Sequence, residues 1–265
     1  MPTPRFTAKI ETEAPTPRLA VLIDADNAQA AIIENLLLEI ASLGEATVKR
    51  IYGDFTSNQS ASWKEVLQKS AIKPVQQFAY TKGKNATDCS LIIDAMDLLY
   101  TGTFDGFCLI SSDSDFTGLA MRLRESGLKV YGFGEQKTPE AFRNACHKFT
   151  LTELLRPTEA EPASAVSHEL NIVPAAHMTE VANNEFPKKF LMEALETLTE
   201  EDGWVTLSAF GSYLTKIKSD FDSRSYGHKK LSDLVRDKSD LFEIEERPVT
   251  GSGQKIIYIR SARQQ

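Results

Sequence analysis

The chain reads as an α/β protein: a doubly wound parallel sheet of strand order 3-2-1-4-5, followed by a small C-terminal winged-helix domain. Two apolar runs predict the sheet. Leu19-Ala20-Val21-Leu22-Ile23 and Gly106-Phe107-Cys108-Leu109-Ile110 show no alternation, as expected of strands buried on both faces. Around them, segments of strand length alternate with segments of helical period, which implies right-handed crossovers. After residue 185, three amphipathic helical segments and a terminal pair of β-rich segments predict the second domain.

Residues 1–17 hold four prolines and no apolar period, and read as a disordered tail. The first domain spans 18–156. After the first strand, Ile32, Ile33, Leu36, Leu37, Ile40 and Leu43 mark a helix closed by Gly44. Strands at Ala46–Tyr52 and Pro74–Phe78 flank a helix at Ser60–Ala71. The polar loop Thr81-Lys82-Gly83-Lys84-Asn85 leads to a helix at Thr87–Tyr100, the strand Phe107–Ile110 and a helix at Phe116–Glu125. Leu128–Phe133 is a fifth strand and Pro139–Cys146 a short helix. Residues 157–185, mixing Pro, Ala, Glu and Ser, read as a flexible linker spanning about 30 Å. The second domain, 186–260, carries helices through Leu198, near Leu207–Lys218 and near Tyr226–Asp237. Its strands are Trp204-Val205-Thr206, Phe242–Glu245 and Ile256–Ile259, the last two joined around Gly251-Ser252-Gly253.

The net charge of −7 is unevenly spread. Residues 18–156 carry 15 basic and 17 acidic side chains, residues 157–185 five Glu and no Lys or Arg, and residues 186–265 13 of each sign. Most of the excess sits in the linker, so a local basic face elsewhere is compatible with the composition. Balanced charge in the second domain argues against strong non-specific duplex binding. Three cysteines, Cys89, Cys108 and Cys146, form no CxxC pair; this argues against a zinc knuckle or disulfide framework and for a reducing compartment. No apolar run reaches membrane-spanning length and nothing resembles a signal peptide, so the cytoplasm is the expected location.

Both buried strands end in acid: Asp24-Ala25-Asp26-Asn27 after the first, Ser111-Ser112-Asp113-Ser114-Asp115 after the fourth. Carboxyl ends of strands are where open α/β sheets hold ligands. Asp24, Asp26 and Asn27 also suit helix N-caps, and one of the three is expected to cap. In the helix 87–100, at about 3.6 residues per turn, Asp88 shares the apolar face of Leu91, Ile92, Ala95 and Leu99. Asp94 falls on the flank and Asp97 opposite. Asp88 needs a partner or cation there, unless it only compensates the helix dipole. In the order 3-2-1-4-5, strands one and four adjoin, so Asp24 and Asp113 face each other with Asp88 arriving from the intervening helix. Carboxylates about 4 Å apart repel by about 4 kcal/mol at an effective dielectric of about 20. A divalent cation removes that cost, and all-oxygen ligands favour Mg²⁺ or Mn²⁺.

Residues 18–156 resemble the NYN family of PIN-like, metal-dependent ribonucleases. The matching residues are Ile23-Asp24-Ala25-Asp26-Asn27, Tyr52-Gly53-Asp54, Lys84 through Asp88 to Asp94, Ser112-Asp113-Ser114-Asp115-Phe116, and Gly127 to Gly134. Residues 186–260 resemble a LOTUS (OST-HTH) domain, a winged helix implicated in RNA binding. Trp204 to Ser208 and Phe221 to Leu231 carry that match. The resemblance implies a Rossmann-like PIN/NYN sheet in which Asp24, Asp88, Asp113 and Asp115 hold one or two Mg²⁺ ions and Asn27 orients the scissile phosphate. Cys89 stands beside Asp88 where some related nucleases carry a second Asp, which leaves the number of metals open.

The leading expectation is therefore hydrolysis of RNA phosphodiester bonds with Mg²⁺ or Mn²⁺ as cofactor. Lys82, Lys84, Ser111 and Ser112 are candidate phosphate contacts. In the second domain Arg224, Tyr226, His228, Lys229 and Lys230 combine charge with a stacking surface ahead of the expected recognition helix. Tyr226 could equally pack in the core. RNA, single-stranded or structured, is the implied partner, and a homo-oligomer is compatible with the sequence. A non-catalytic RNA-binding scaffold is one alternative. A haloacid-dehalogenase-like phosphatase is another, since Asp24-Ala25-Asp26 mimics its start, but Ala28 stands where that family expects Thr or Val.

Overall fold

The computed structural model describes residues 15–56, 61–78, 86–157, 186–199, 203–248 and 255–262. The expected tail and linker fall almost wholly outside these residues, as do Lys82 and Lys84. The first domain runs β1 (Arg18–Asp24), α1 (Ile33–Ala41), β2 (Glu45–Gly53), α2 (Ala61–Lys69), β3 (Lys73–Gln76) and α3 (Ala86–Tyr100). It continues with β4 (Gly106–Ile110), α4 (Thr117–Glu125), β5 (Lys129–Gly134), α5 (Glu140–Ala145) and β6 (Lys148–Leu151). All pairings are parallel, in the order β3-β2-β1-β4-β5-β6.

The central strands are buried because their side chains serve two cores. Ala20 and Leu22 point to the layer of α3, α4 and α5, with Leu91, Leu98, Leu119 and Phe142. Leu19, Val21 and Ile23 point to the layer of α1 and α2, with Ile33, Leu36, Ile40 and Trp63. Each buried Leu, Ile, Val or Phe among them stabilises the fold by roughly 1.5–3 kcal/mol. A strand that feeds both layers has no face for polar residues, which is why β1 stays apolar until it reaches Asp24.

The sheet has one strand more than expected. Residues Lys148–Leu151 extend it beyond β5. Four residues are too few to display a period, and they follow α5 after only Cys146 and His147, so the sequence carried no separate signal for them.

The second domain comprises α6 (Lys188–Leu198), β7 (Val205–Thr206), α7 (Leu207–Ile217), α8 (Leu231–Asp237), β8 (Phe242–Pro248) and β9 (Lys255–Ser261). Its antiparallel sheet, of order β7-β9-β8, packs with Phe210, Leu214, Leu234 and Ile259 in its own core. The expected helix from Tyr226 is divided. Ser223–Tyr226 form a 3-10 turn, Gly227 reverses the chain at φ 84°, and α8 starts only at Leu231. That left-handed φ suits glycine and ends any helix there. No helix among the described residues is long and apolar enough to cross a membrane.

The second domain seats against the outer side of β6 and against α5 and α1. The backbone N–H of Phe149 donates to the Ser219 carbonyl at 2.8 Å, and Ser219 Oγ donates to the Arg143 carbonyl at 2.6 Å. Arg143 pairs with Asp220 at 2.6 Å. An edge strand is thereby covered rather than left open to pairing with another chain.

At the carboxyl end of β5, Gly134 permits a close approach that no side chain would. A Cβ there would lie 2.5 Å from the Ser111 carbonyl and 2.7 Å from Thr138 Oγ1. Gly134→Ala is expected to destabilise the fold by about 1–3 kcal/mol through overpacking. Thermal denaturation should show a fall of several degrees; an unchanged midpoint would disprove the tight fit.

Candidate metal centre and nucleic-acid interface

The carboxyl ends of β1 and β4 lie side by side, with Ile23 paired to Ile110. Asp24 ends β1 with 0% exposure. Its Oδ1 accepts from the Asp26 backbone N–H at 3.0 Å, and its Oδ2 accepts from Asn27 Nδ2 and Ser111 Oγ, both at 2.8 Å. Burial outweighs these three bonds and raises the Asp24 pKa. Ser111 Oγ in turn accepts from the Asp113 N–H at 3.0 Å, and Asp113 Oδ1 accepts from the Asp115 N–H at 2.9 Å, capping the 3-10 turn Ser114–Phe116. One hydrogen-bonded chain thus links the acids of the two strands.

Asp88 arrives from the first turn of α3. One carboxylate oxygen from each of Asp88, Asp113 and Asp115 lies within 4.8 Å of the other two. Burial, then the charges of Asp24, Asp113, Asp115 and Asp26, push the Asp88 carboxyl up to about 6. Each pair at that distance repels by roughly 3 kcal/mol at an effective dielectric of about 20. Three converging carboxylate oxygens whose mutual repulsion a positive charge would relieve are a donor set that fits a hard divalent cation.

Asp24 does not join that group of three. It stands behind it, near enough for its charge to raise Asp88. Asn27 is half-buried with its amide turned to Asp24, and Asp26 is exposed. Cys89 is exposed and takes no part in the group. Ser112 is buried, its Oγ accepting from the Glu135 N–H at 2.9 Å, so it fastens the end of β5 to that of β4.

The sequence places Asp94 on the helix flank and in the family-matching stretch but assigns it no role. On the flank of α3, its carboxylate accepts from the Arg50 guanidinium and from the Tyr52 hydroxyl. Arg50 and Tyr52 are two apart on β2 and so share one face. A basic and a phenolic side chain facing one way from β2, where the strand enters the core, were a usable signal.

In the second domain the structure reassigns two expected RNA contacts. Arg224 is occupied: Nη1 and Nη2 donate to Glu39 at 3.0 and 3.1 Å, and Nη2 donates to Asp222 at 2.6 Å. Lys148 reaches the same Glu39 at 3.1 Å, and these cations hold the Glu39 carboxyl below its usual range despite burial. Arg224 therefore joins the two domains. Tyr226 packs between aromatic neighbours, stacked on Phe221 with centroids 6.0 Å apart and edge-on to Phe186 at 5.9 Å. Lys229 and Lys230 are exposed just before α8, and His228 lies 3.6 Å from Asp237.

A model of the NYN domain matches residues 18–153, and one of the OST-HTH/LOTUS domain matches residues 183–252. No curated protein matches the chain. Among solved structures, an uncharacterised protein from Nitrosomonas europaea is 46% identical over 38% of this chain and 95% of that one, with a TM-score of 0.31. A protein of unknown function from Vibrio parahaemolyticus is 18% identical over 52% of this chain and 94% of its own, with a TM-score of 0.43. A Chromobacterium violaceum fragment is 30% identical over 31% of this chain and 86% of its own, with a TM-score of 0.25. The NYN match spans more than half of the 265 residues, and the chain belongs to the NYN domain family, with an OST-HTH/LOTUS domain following.

Proposed function

We propose that the protein is a divalent-cation-dependent ribonuclease whose second domain captures RNA. The observation that carries this reading is the convergence of Asp88, Asp113 and Asp115 at the carboxyl edge of the sheet of an NYN domain. These three would hold Mg²⁺ or Mn²⁺. When bound, the cation supplies charge neutralisation at the phosphodiester and lowers the pKa of an attacking water. The protein's own residues do the rest. Asp24 keeps negative charge behind Asp88 and fixes Ser111 and Asn27. Asn27, whose amide already donates one N–H to Asp24, would turn its other N–H to a phosphate oxygen. Lys229 and Lys230 offer exposed positive charge to the RNA backbone, a role also suited to Lys82 and Lys84.

The direct test is cleavage of single-stranded RNA by purified protein. Cutting is expected with Mg²⁺ or Mn²⁺, is lost in EDTA, and falls by orders of magnitude in Asp113→Asn. RNA binding without cutting in any cation would instead favour a non-catalytic RNA-binding protein.

The acid cluster also predicts a stability signature. Asp88 binds its proton more tightly when folded, about 6 against 3.8 unfolded. Its contribution to stability is therefore full below about pH 4 and is lost as pH rises through about 6. The shift corresponds to at most about 3 kcal/mol, of which solvent screening leaves on the order of 1 kcal/mol. Asp88→Asn should raise the melting temperature by a few degrees at pH 7.5 without cation, and should abolish the gain that Mn²⁺ gives the wild type. A lower melting temperature for the variant under those conditions would contradict the repulsion.

Capture and cutting should separate kinetically. Lys229→Ala with Lys230→Ala is expected to raise KM for RNA several-fold and leave kcat unchanged, as when uniform binding is lost. Steady-state kinetics check this; a fall in kcat at constant KM would place the lysines elsewhere in the mechanism.

A further inference from the structure

We infer that Asp94 is a positioning residue for the cation site, the clamp that sets the height and rotation of α3 and so delivers Asp88 to Asp113 and Asp115. The inference rests on the proposed cation-binding role of that cluster. Asp88 sits at the amino end of α3 within 4.8 Å of two other carboxylates, and their charges push that end of the helix away from the sheet. Some interaction must hold it in. Apolar packing of Leu91, Ala95 and Leu98 presses α3 onto the sheet but is non-directional, so it resists sliding and rotation weakly.

The directional restraints are polar. Gln77 Nε2 donates to Ser90 Oγ at 2.9 Å, and Asp94 takes both Arg50 and the Tyr52 hydroxyl. Asp94 lies six residues beyond Asp88, about 9 Å along the helix axis. Tyr52 is fully buried and stands opposite Asp24 in the β1–β2 register, so its hydroxyl ties α3 to the strand level at which Asp24 ends. Charge-assisted bonds of this kind are the stronger ones, and here two converge on one carboxylate from a single face of β2. The effect on the pair is mutual: the Asp94 carboxylate holds the Arg50 pKa up, and burial together with Asp94 raises that of Tyr52. The same acid that compensates Arg50 therefore also fixes where the helix carries Asp88.

The experiment is Mn²⁺ binding to the full-length protein, followed by electron paramagnetic resonance at a temperature where every variant is folded. Wild type, Asp94→Asn, Tyr52→Phe and Leu98→Ala are compared, with melting temperatures recorded in parallel. Leu98 lies in the core at the far end of α3 and serves as a control for lost stability alone. Removing a partner that orients a ligand typically weakens metal affinity about 10–100-fold. Asp94→Asn is expected to fall in that range, Tyr52→Phe to show a smaller loss in the same direction, and Leu98→Ala to bind as wild type does despite a lower melting temperature. Equal affinity in wild type, Asp94→Asn and Tyr52→Phe would overturn the positioning role and leave the cation site standing. Equal losses in Asp94→Asn and Leu98→Ala would also overturn it, since destabilisation alone would then suffice. Absence of Mn²⁺ binding by the wild type would overturn the cation reading itself and this role with it.

Discussion

Mutual repulsion of carboxylates is the constraint around which this protein is built. Asp24 stands with 0% exposure at the end of β1, and Asp88, Asp113 and Asp115 converge beside it. A domain has only about 5–15 kcal/mol of net stability, so several unrelieved like-charge contacts would consume much of it. The surrounding structure can be understood as the means of containing that charge. Two apolar layers on either side of β1 and β4 supply the stability, and a chain of short polar contacts fixes where each acid points.

Those contacts share a pattern. Each acid is held by a neighbour that is itself held: Asp24 by Ser111 and Asn27, Asp113 through Ser111, and the helix of Asp88 through Asp94. Ser112 and Gly134 then lock the end of β5 to that of β4, one through a hydrogen bond to Glu135 and the other through the absence of a side chain. Donors aimed at carboxylates lower the cost of ionising them, while burial raises it. At Asp24 burial prevails and its pKa is raised.

The second domain shows the same economy of polar groups at a larger scale. Arg224 meets Glu39 and Asp222 at once, Arg143 meets Asp220, and Phe149 lends its free N–H to Ser219. These contacts, at the outer edge of β6, are ionic and hydrogen-bonded. A joint of that composition weakens with salt more than a packed core does. With Arg224 and Tyr226 committed to structure, the exposed lysines before α8 carry the positive charge left from the expected RNA-binding segment.

What depends on local pattern is legible in the sequence. The unbroken apolar runs of β1 and β4 announce strands buried on both faces, and the order 3-2-1-4-5 expected of such a sheet sets the Asp24 and Asp113 ends side by side, as the fold has them. Helical period likewise put Asp88 near the buried face of α3. Only the tertiary structure decided what depends on contacts between distant segments. β6 is too short to carry a period and exists because β5 offers it an edge. Arg224 reads as a nucleic-acid contact until Glu39, 185 residues away, is seen to take it. Asp94 reads only as a flank position of the helix until Arg50 and Tyr52 meet it from β2. Asp24, a fourth ligand by resemblance, is buried beside the group of three with three donors on its carboxylate, a setting that only the fold creates. Period and composition report which way a side chain faces; its partner is chosen by packing, where long-range contacts decide which charges meet.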